Sequence, residues 1–279
     1  ADGSTYLYKG SPELPIYPRS AIKSLQAAAM LKGGLKVEEN ELAIICASHS
    51  GSQSHIDLVT KMLTLRGISI DQLKNAVDKP LGEKEKITWG DKAPSQLAQN
   101  CSGKHAGMLA TCVINGWDTS HYLEMNHPLQ IAIKREIEES SRYKSVNDTF
   151  DGCGAPLFAV PLQGLANAIR SIVESDDDAS RAIVAAMSTH PEMVAGNGRL
   201  STQWMRAVPG LIMKEGAEGV HIAGQRGKGV IAFKVIDGSM RAHEVITRSA
   251  LARIGITAQV PAATVFGGPL PKVEIRASF

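Results

Sequence analysis

The sequence predicts an α+β fold: an antiparallel sheet built from both chain ends, with a helical insertion between them. Three observations lead there: a strand-like run at the start, apolar residues at helical spacing through the middle, and β-patterned runs after Leu211. Thr5–Tyr8 reads as the first strand, and a proline-rich connection, Ser11–Pro18, delivers the chain to a helix that begins near Ser20 and ends at Gly33-Gly34. Leu42–Ala47 is an apolar run that periodicity leaves open between helix and strand, and the polar turn Ser48–Ser52 after it is expected to face water or a substrate. Ile56, Val59, Met62 and Leu63 recur as on a helix, as do Leu129, Ile133 and Ile137, and again Ile183, Val184 and Met187. The acidic stretch Glu174–Asp178 reads as a loop between helices. Leu211–Met213, Gly219–Ala223 and Gly229–Ile236 read as strands, with a turn at 224–228 and a final helix from about Ser239 to Arg253. Residues 1–35 and 195–279 form the sheet part and 36–194 the mainly helical part of one composite unit.

Composition narrows the class. With 43% hydrophobic and 21% charged residues in 279, the chain can bury a core, which argues against disordered, collagen-like and coiled-coil proteins. Thirty basic against 28 acidic residues give a net charge of +2, and aromatics are 5%, so no nucleic-acid partner is expected. The longest apolar runs fall far short of the roughly 18–20 residues a membrane span needs, so a soluble protein with no membrane partner is expected. No signal pattern opens the chain, which starts Ala1-Asp2-Gly3-Ser4, so its start is expected to be processed or to lie inside a longer reading frame. Cysteines at 46, 101, 112 and 153 form no C-x-x-C motif, which points to a reducing, cytoplasmic compartment.

Four motifs could carry chemistry. In Ser20-x-x-Lys23 a lysine amine one helical turn from a serine hydroxyl could activate it, although the same residues serve as an N-cap and a solvated lysine. Cys46-Ala47-Ser48-His49-Ser50-Gly51 packs hydroxyls and an imidazole into a turn, as a cleft edge or a helix cap would. Cys101 and Cys153 lie among glycines and polar groups, in Asn100–Gly107 and Asp151–Pro156, and are not expected to pack as core thiols, whereas Cys46 and Cys112 are. Lys104 and His105 would favour a thiolate, giving a paired thiolate site for zinc, a nucleophilic cysteine with His105 as base, or merely two glycine-rich turns. Met213-Lys214-Glu215-Gly216 is either an exposed charged hairpin or, with Ser20-x-x-Lys23, similar to the S-x-x-K and K-T-G pair of penicillin-recognising serine hydrolases.

In this order the motifs resemble the asparaginase II family, the thermolabile, rhizobial-type L-asparaginases. The matching stretches are YPRSAIKSLQA, ELAIICASHSG, NCSGKHAGML, DGCGAPLFAVPL, HPEMVAGNGR and KEGAEGV, from Tyr17 to Val220. The resemblance implies a serine β-lactamase-like fold and hydrolysis of the side-chain amide of L-asparagine to aspartate and ammonia. It makes Ser20 and Lys23 one serine–lysine pair and gives the second pair Ser48, with Ser50 and Ser52 as neighbouring alternatives, and Lys214. It makes Cys101, Lys104 and Cys153 ligands of a zinc that helps bind and orient substrate, and places Arg19, His49, His105 and Asp151 around the substrate. A homodimer is expected. The chain departs from the family pattern in three places: Glu215 replaces a threonine, a further strand would precede Ala1, and the ending Pro269–Phe279 lacks the usual tail. A β-lactamase-like hydrolase acting on another amide, and an inactive zinc-bearing binding protein on the same fold, are the other readings.

Overall fold

The computed structural model describes residues 3–261, 277 and 279; the ending Pro269–Phe279 lies largely outside them. Helices dominate. They are α1 (Lys23–Lys32), preceded by a 3-10 turn at Arg19–Ile22, α2 (Glu39–Ile45), α3 (Gln53–Thr64), α4 (Glu83–Trp89), α5 (Ser102–Asn115) and α6 (Pro128–Ser141). After them come α7 (Leu162–Glu174), α8 (Asp178–Thr189), α9 (Pro191–Val194), α10 (Leu200–Ala207) and α11 (His243–Arg253). The strands are β1 (Pro15–Ile16), β2 (Asp148–Phe150), β3 (Pro156–Phe158), β4 (Val160–Pro161), β5 (Ile212–Gly216), β6 (Val220–Gln225) and β7 (Gly229–Lys234).

Helix α1 is the hub. Every residue from Lys23 to Met30 is buried, and the run Ala27-Ala28-Ala29 lets α5, α6, α7 and α8 approach it closely. Helix α5 crosses α2 on Gly103 and Gly107, one turn apart. A Cβ on Gly103 would lie 2.4 Å from the Ile44 carbonyl oxygen, so a larger residue there would force the helices apart. One hydrophobic core contains residues of both the helical and the sheet parts, Leu25, Ile45 and Leu109 as well as Met213 and Ile222. Polar side chains close several helix starts: Ser52 and His55 form a capping box on α3, and Asp177 caps α8, so the acidic stretch is indeed an interhelical turn. Leu42–Ala47, left open by periodicity, falls mainly in α2.

The sheet differs from the expectation. Its three strands run in the order β5-β6-β7, both pairs antiparallel, and all come from residues 212–234. The strand expected at Thr5–Tyr8 does not form: this segment joins no ladder among the described residues, and Tyr6 and Tyr8 stand 73% and 65% exposed. Among the described residues the N-terminal end contributes only β1, paired with β4 as Pro15↔Pro161 and Ile16↔Val160. Pro12, Pro15 and Pro18 lack the N–H a longer ladder needs, which explains why β patterning there ends in two residues. Helix α11 starts four residues later than predicted, after a turn at 241–242. Among the described residues no helix is long and apolar enough to cross a membrane.

Candidate active site

The end of β5 packs directly on the 3-10 turn that carries Ser20. A Cβ on Gly216 would sit 2.6 Å from the Pro18 carbonyl oxygen and 3.2 Å from the Ala21 nitrogen, so glycine permits this approach. The turn Ser48–Gly51, expected to face water or a substrate, is buried from water. Pro80, Gly82, Ala98 and Gly196 press on it, and Gly51 adopts φ +80°, a left-handed conformation that costs glycine little. Helix α5 starts immediately after Cys101, so the Asn100–Gly107 stretch is a helix start and not a loose glycine-rich turn.

These elements give most of the predicted residues polar partners. Lys23 Nζ donates to Ser48 Oγ at 3.1 Å, to Cys101 Sγ at 3.0 Å and to the Ala47 carbonyl. Lys104 Nζ donates to Cys153 Sγ at 3.1 Å, and Cys101 Sγ donates to Asn100 Oδ1 at 3.2 Å. Arg19 Nε donates to Asp151 Oδ1 at 2.6 Å, and its Nη1 pairs with Glu218. Arg19 and Glu218 both hold positive φ, +51° and +59°, an uncommon state for residues with side chains and one that clusters at functional sites. Lys214 is buried on β5 and donates to the Glu215 carbonyl at 2.5 Å.

Lys23 thus hydrogen-bonds Ser48, the serine that the resemblance assigned to Lys214. Ser20 is half-buried, and its hydroxyl has no hydrogen-bond partner among the described residues. His49 lies face to face with His55, ring centroids 5.0 Å apart, and its Nε2 meets Ser102 Oγ at 2.8 Å. His105 Nδ1 meets the Tyr122 hydroxyl at 2.8 Å, leaving its buried Nε2 without a partner. Cys101 and Cys153, expected outside the core, are 3% and 2% exposed, yet their neighbours are amines and not only apolar side chains. All four cysteines are free thiols.

Electrostatics sort these groups. Burial pushes His49 and His105 well below the ordinary histidine value, and nearby lysines add to the effect, so both rings are neutral at pH 7. The two thiols are driven in opposite directions. Hydrogen bonding to Cys153 and burial push Cys101 up to about 12, while the hydrogen bond from Cys101 and the Lys104 charge outweigh burial and bring Cys153 down to about 4. Burial alone would raise Asp151, but Lys104 and Arg19 hold it below the ordinary carboxyl value. Burial lowers Lys214 to about 7 against the pull of Glu215, with Lys23 and Arg199 adding to the drop. Glu215, also buried, is kept ionised by Lys214 and Arg199.

The L-asparaginase II family model matches residues 1–268. The chain belongs to that family. It is accordingly an amidohydrolase of the L-asparaginase class, acting on an amide substrate such as asparagine. A comparison with curated proteins finds no match. The sequence reading missed several members of the cluster: Arg199, which pairs with Glu215 and donates to the Ser48 carbonyl; Ser201, which donates to Glu215; and Tyr122, the partner of His105. Arg199 had visible signals: it closes the matching stretch HPEMVAGNGR, and it follows the turn Gly196-Asn197-Gly198, whose glycines both take positive φ.

Cys101, Lys104 and Cys153 pass a test of fit for zinc. Two thiols and an amine are all nearly fully buried, the amine 3.1 Å from the Cys153 sulfur, and sulfur and nitrogen donors suit that ion. Among the described residues no three His, Cys, Asp or Glu side chains are grouped to hold a metal, so a metal at this place needs the lysine. The charge count also closes. The metal-free site holds one thiolate and an ammonium, since the thiol pair's charge outweighs burial and raises Lys104, and a divalent ion would replace the Lys104 and Cys101 protons.

Proposed function

We propose that the chain hydrolyses the side-chain amide of L-asparagine to aspartate and ammonia by a serine–lysine mechanism in which Ser20 attacks. One observation carries this reading: Lys23, one turn beyond Ser20 in the chain, holds Ser48 by a 3.1 Å hydrogen bond, while half-buried Ser20 keeps its hydroxyl unengaged among the described residues. A nucleophile must reach the substrate carbonyl, and Ser20 is open where Ser48 is 5% exposed.

Ser20 Oγ adds to the amide carbon as its proton passes to the Lys23 amine. The proton reaches the departing nitrogen through Ser48, ammonia leaves, and water then attacks the aspartyl ester by the reverse relay. Backbone N–H groups where β5 meets the Ser20 turn stabilise the oxyanion. Lys214, poised near neutrality, exchanges the relay proton at working pH. Arg19, Asp151, His49 and His105 line the substrate's place, two of them charged and two neutral. Zinc held by Cys101, Lys104 and Cys153 would supply electrostatic binding and orientation of the substrate. The three-stranded antiparallel sheet and the buried serine–lysine cluster support a serine β-lactamase-like fold. The matching stretches and four free thiols support a cytoplasmic homodimer.

The test is ammonia release from asparagine, glutamine and small amides by wild type, Ser20→Ala and Ser48→Ala. Asparagine should be preferred, with kcat falling roughly 10⁴-fold or more in Ser20→Ala and roughly 10²- to 10⁴-fold in Ser48→Ala. The reverse order would assign attack to Ser48, and full activity in both variants would overturn the serine mechanism. Preference for another amide would point to a different hydrolase, and asparagine binding without turnover to a binding protein.

A further inference from the structure

The turn that carries Ser48 belongs to no helix or strand, so its neighbours must fix it. Three contacts come from one short segment. The Ser48 N–H donates to the Val194 carbonyl at 3.0 Å, Ser50 Oγ donates to the Ala195 carbonyl at 2.9 Å, and Arg199 Nη1 donates to the Ser48 carbonyl at 3.3 Å. Gly196 passes so close that a Cβ on it would fall 2.0 Å from Ser50 Oγ. The segment is anchored in turn at its far end, where Arg199 Nη2 pairs with Glu215 Oε1 and the other carboxylate oxygen accepts from Ser201 at 2.5 Å. Glu215 is the residue after Lys214 on β5, so the strand that carries the lysine also holds the clasp on the serine.

We infer that Arg199 and Glu215 act as one positioning unit for the reaction, fixing Ser48 against Lys23 without touching substrate. This rests on the reading of Ser48 as part of the proton relay. Arginine suits the task because its planar fork spans two acceptors at once, the Ser48 carbonyl and the Glu215 carboxylate, which a single ammonium would serve less well. The charge of Glu215 is thereby spent on the protein's own arginine and is not presented to a substrate carboxylate. An arginine that bound the substrate would govern KM. One that holds a relay serine governs kcat.

The experiment measures asparagine hydrolysis by wild type, Arg199→Gln, Arg199→Lys, Glu215→Gln, Ser201→Ala and the double variant Arg199→Gln/Glu215→Gln, with thermal melts alongside. Misplacing a reacting group by about an ångström costs roughly 10²-fold, so kcat should fall roughly 10- to 100-fold in Arg199→Gln and Glu215→Gln. KM should stay within about twofold. Arg199→Lys should recover part of the loss, and the double variant should be no worse than the poorer single variant. If Arg199→Gln does not fold, Ser201→Ala, which weakens the anchor alone, should still lower kcat at unchanged KM. A raised KM at wild-type kcat, losses that multiply in the double variant, or wild-type kcat in the folded variants would each overturn the inference. Full activity in Ser48→Ala would sink the relay reading and the inference with it. An impaired Ser48→Ala beside an unimpaired Arg199→Gln would sink the inference alone.

Discussion

Replacing Lys214 by methionine removes a buried amine while nearly keeping its shape, and it should change the protein's pH dependence in a calculable way. Lys214 is 2% exposed, and burial brings it from the ordinary 10.5 to about 7. A displacement of that size corresponds to roughly 5 kcal/mol. The sign follows from proton counting. Between pH 7 and 10.5 the unfolded chain still holds the Lys214 proton and the folded protein does not, so this residue makes stability rise with pH across that window. Below pH 7 both states are protonated and the full penalty applies; above 10.5 it has vanished. Urea unfolding of wild type and Lys214→Met near pH 6.5 and pH 9.5 isolates the effect, because other titrating groups largely cancel in the difference between the two proteins. Wild type should gain about 3 kcal/mol on the variant between those pH values. An unchanged difference would refute the assignment of Lys214 as a depressed, buried lysine. In the same variant kcat should drop roughly 10²- to 10⁴-fold, and in wild type it should climb through pH 7 as the neutral amine forms.

Gly103→Ala should destabilise the fold by about 1–3 kcal/mol and lower the melting temperature, since the added Cβ meets Ile44 backbone at 2.4 Å; an unchanged melt would mean that α2 and α5 are not in such close contact. Wild type should bind about one zinc per chain and release roughly two protons on doing so, with affinity rising with pH. Elemental analysis should find that zinc lost in Cys101→Ser and Cys153→Ser, and equal zinc in both variants would remove these residues from the site. In metal-free protein the thiolate absorbance should persist as pH falls to about 4 and disappear in Cys153→Ser; a thiolate that titrates near the ordinary thiol value would contradict the lowered Cys153.

Much of the site was readable because its chemistry sits in short contiguous stretches. Ser20 and Lys23 share a turn, Cys101 and Lys104 share a helix start, and glycines at 103, 107 and 216 mark places where backbone passes close to backbone. What pairing each side chain would choose was not readable, since it depends on elements far apart in the chain: Lys23 meets Ser48 only because the C-terminal end of α2 runs past α1. Arg199 was missed for the same reason, its partners lying 151 and 16 residues away. The helices followed their 3.6-residue period well, whereas the N-terminal strand failed because alternation at Thr5–Tyr8 says nothing about whether a partner strand lies alongside it.

The account turns on covalent attack by Ser20. Wild-type protein turning over L-asparagine should be quenched in acid and its peptides mapped by mass spectrometry. The account predicts an aspartyl group on the peptide containing Ser20, absent from Ser20→Ala; the same adduct on the Ser48 peptide, or turnover by Ser20→Ala at the wild-type rate, would contradict it.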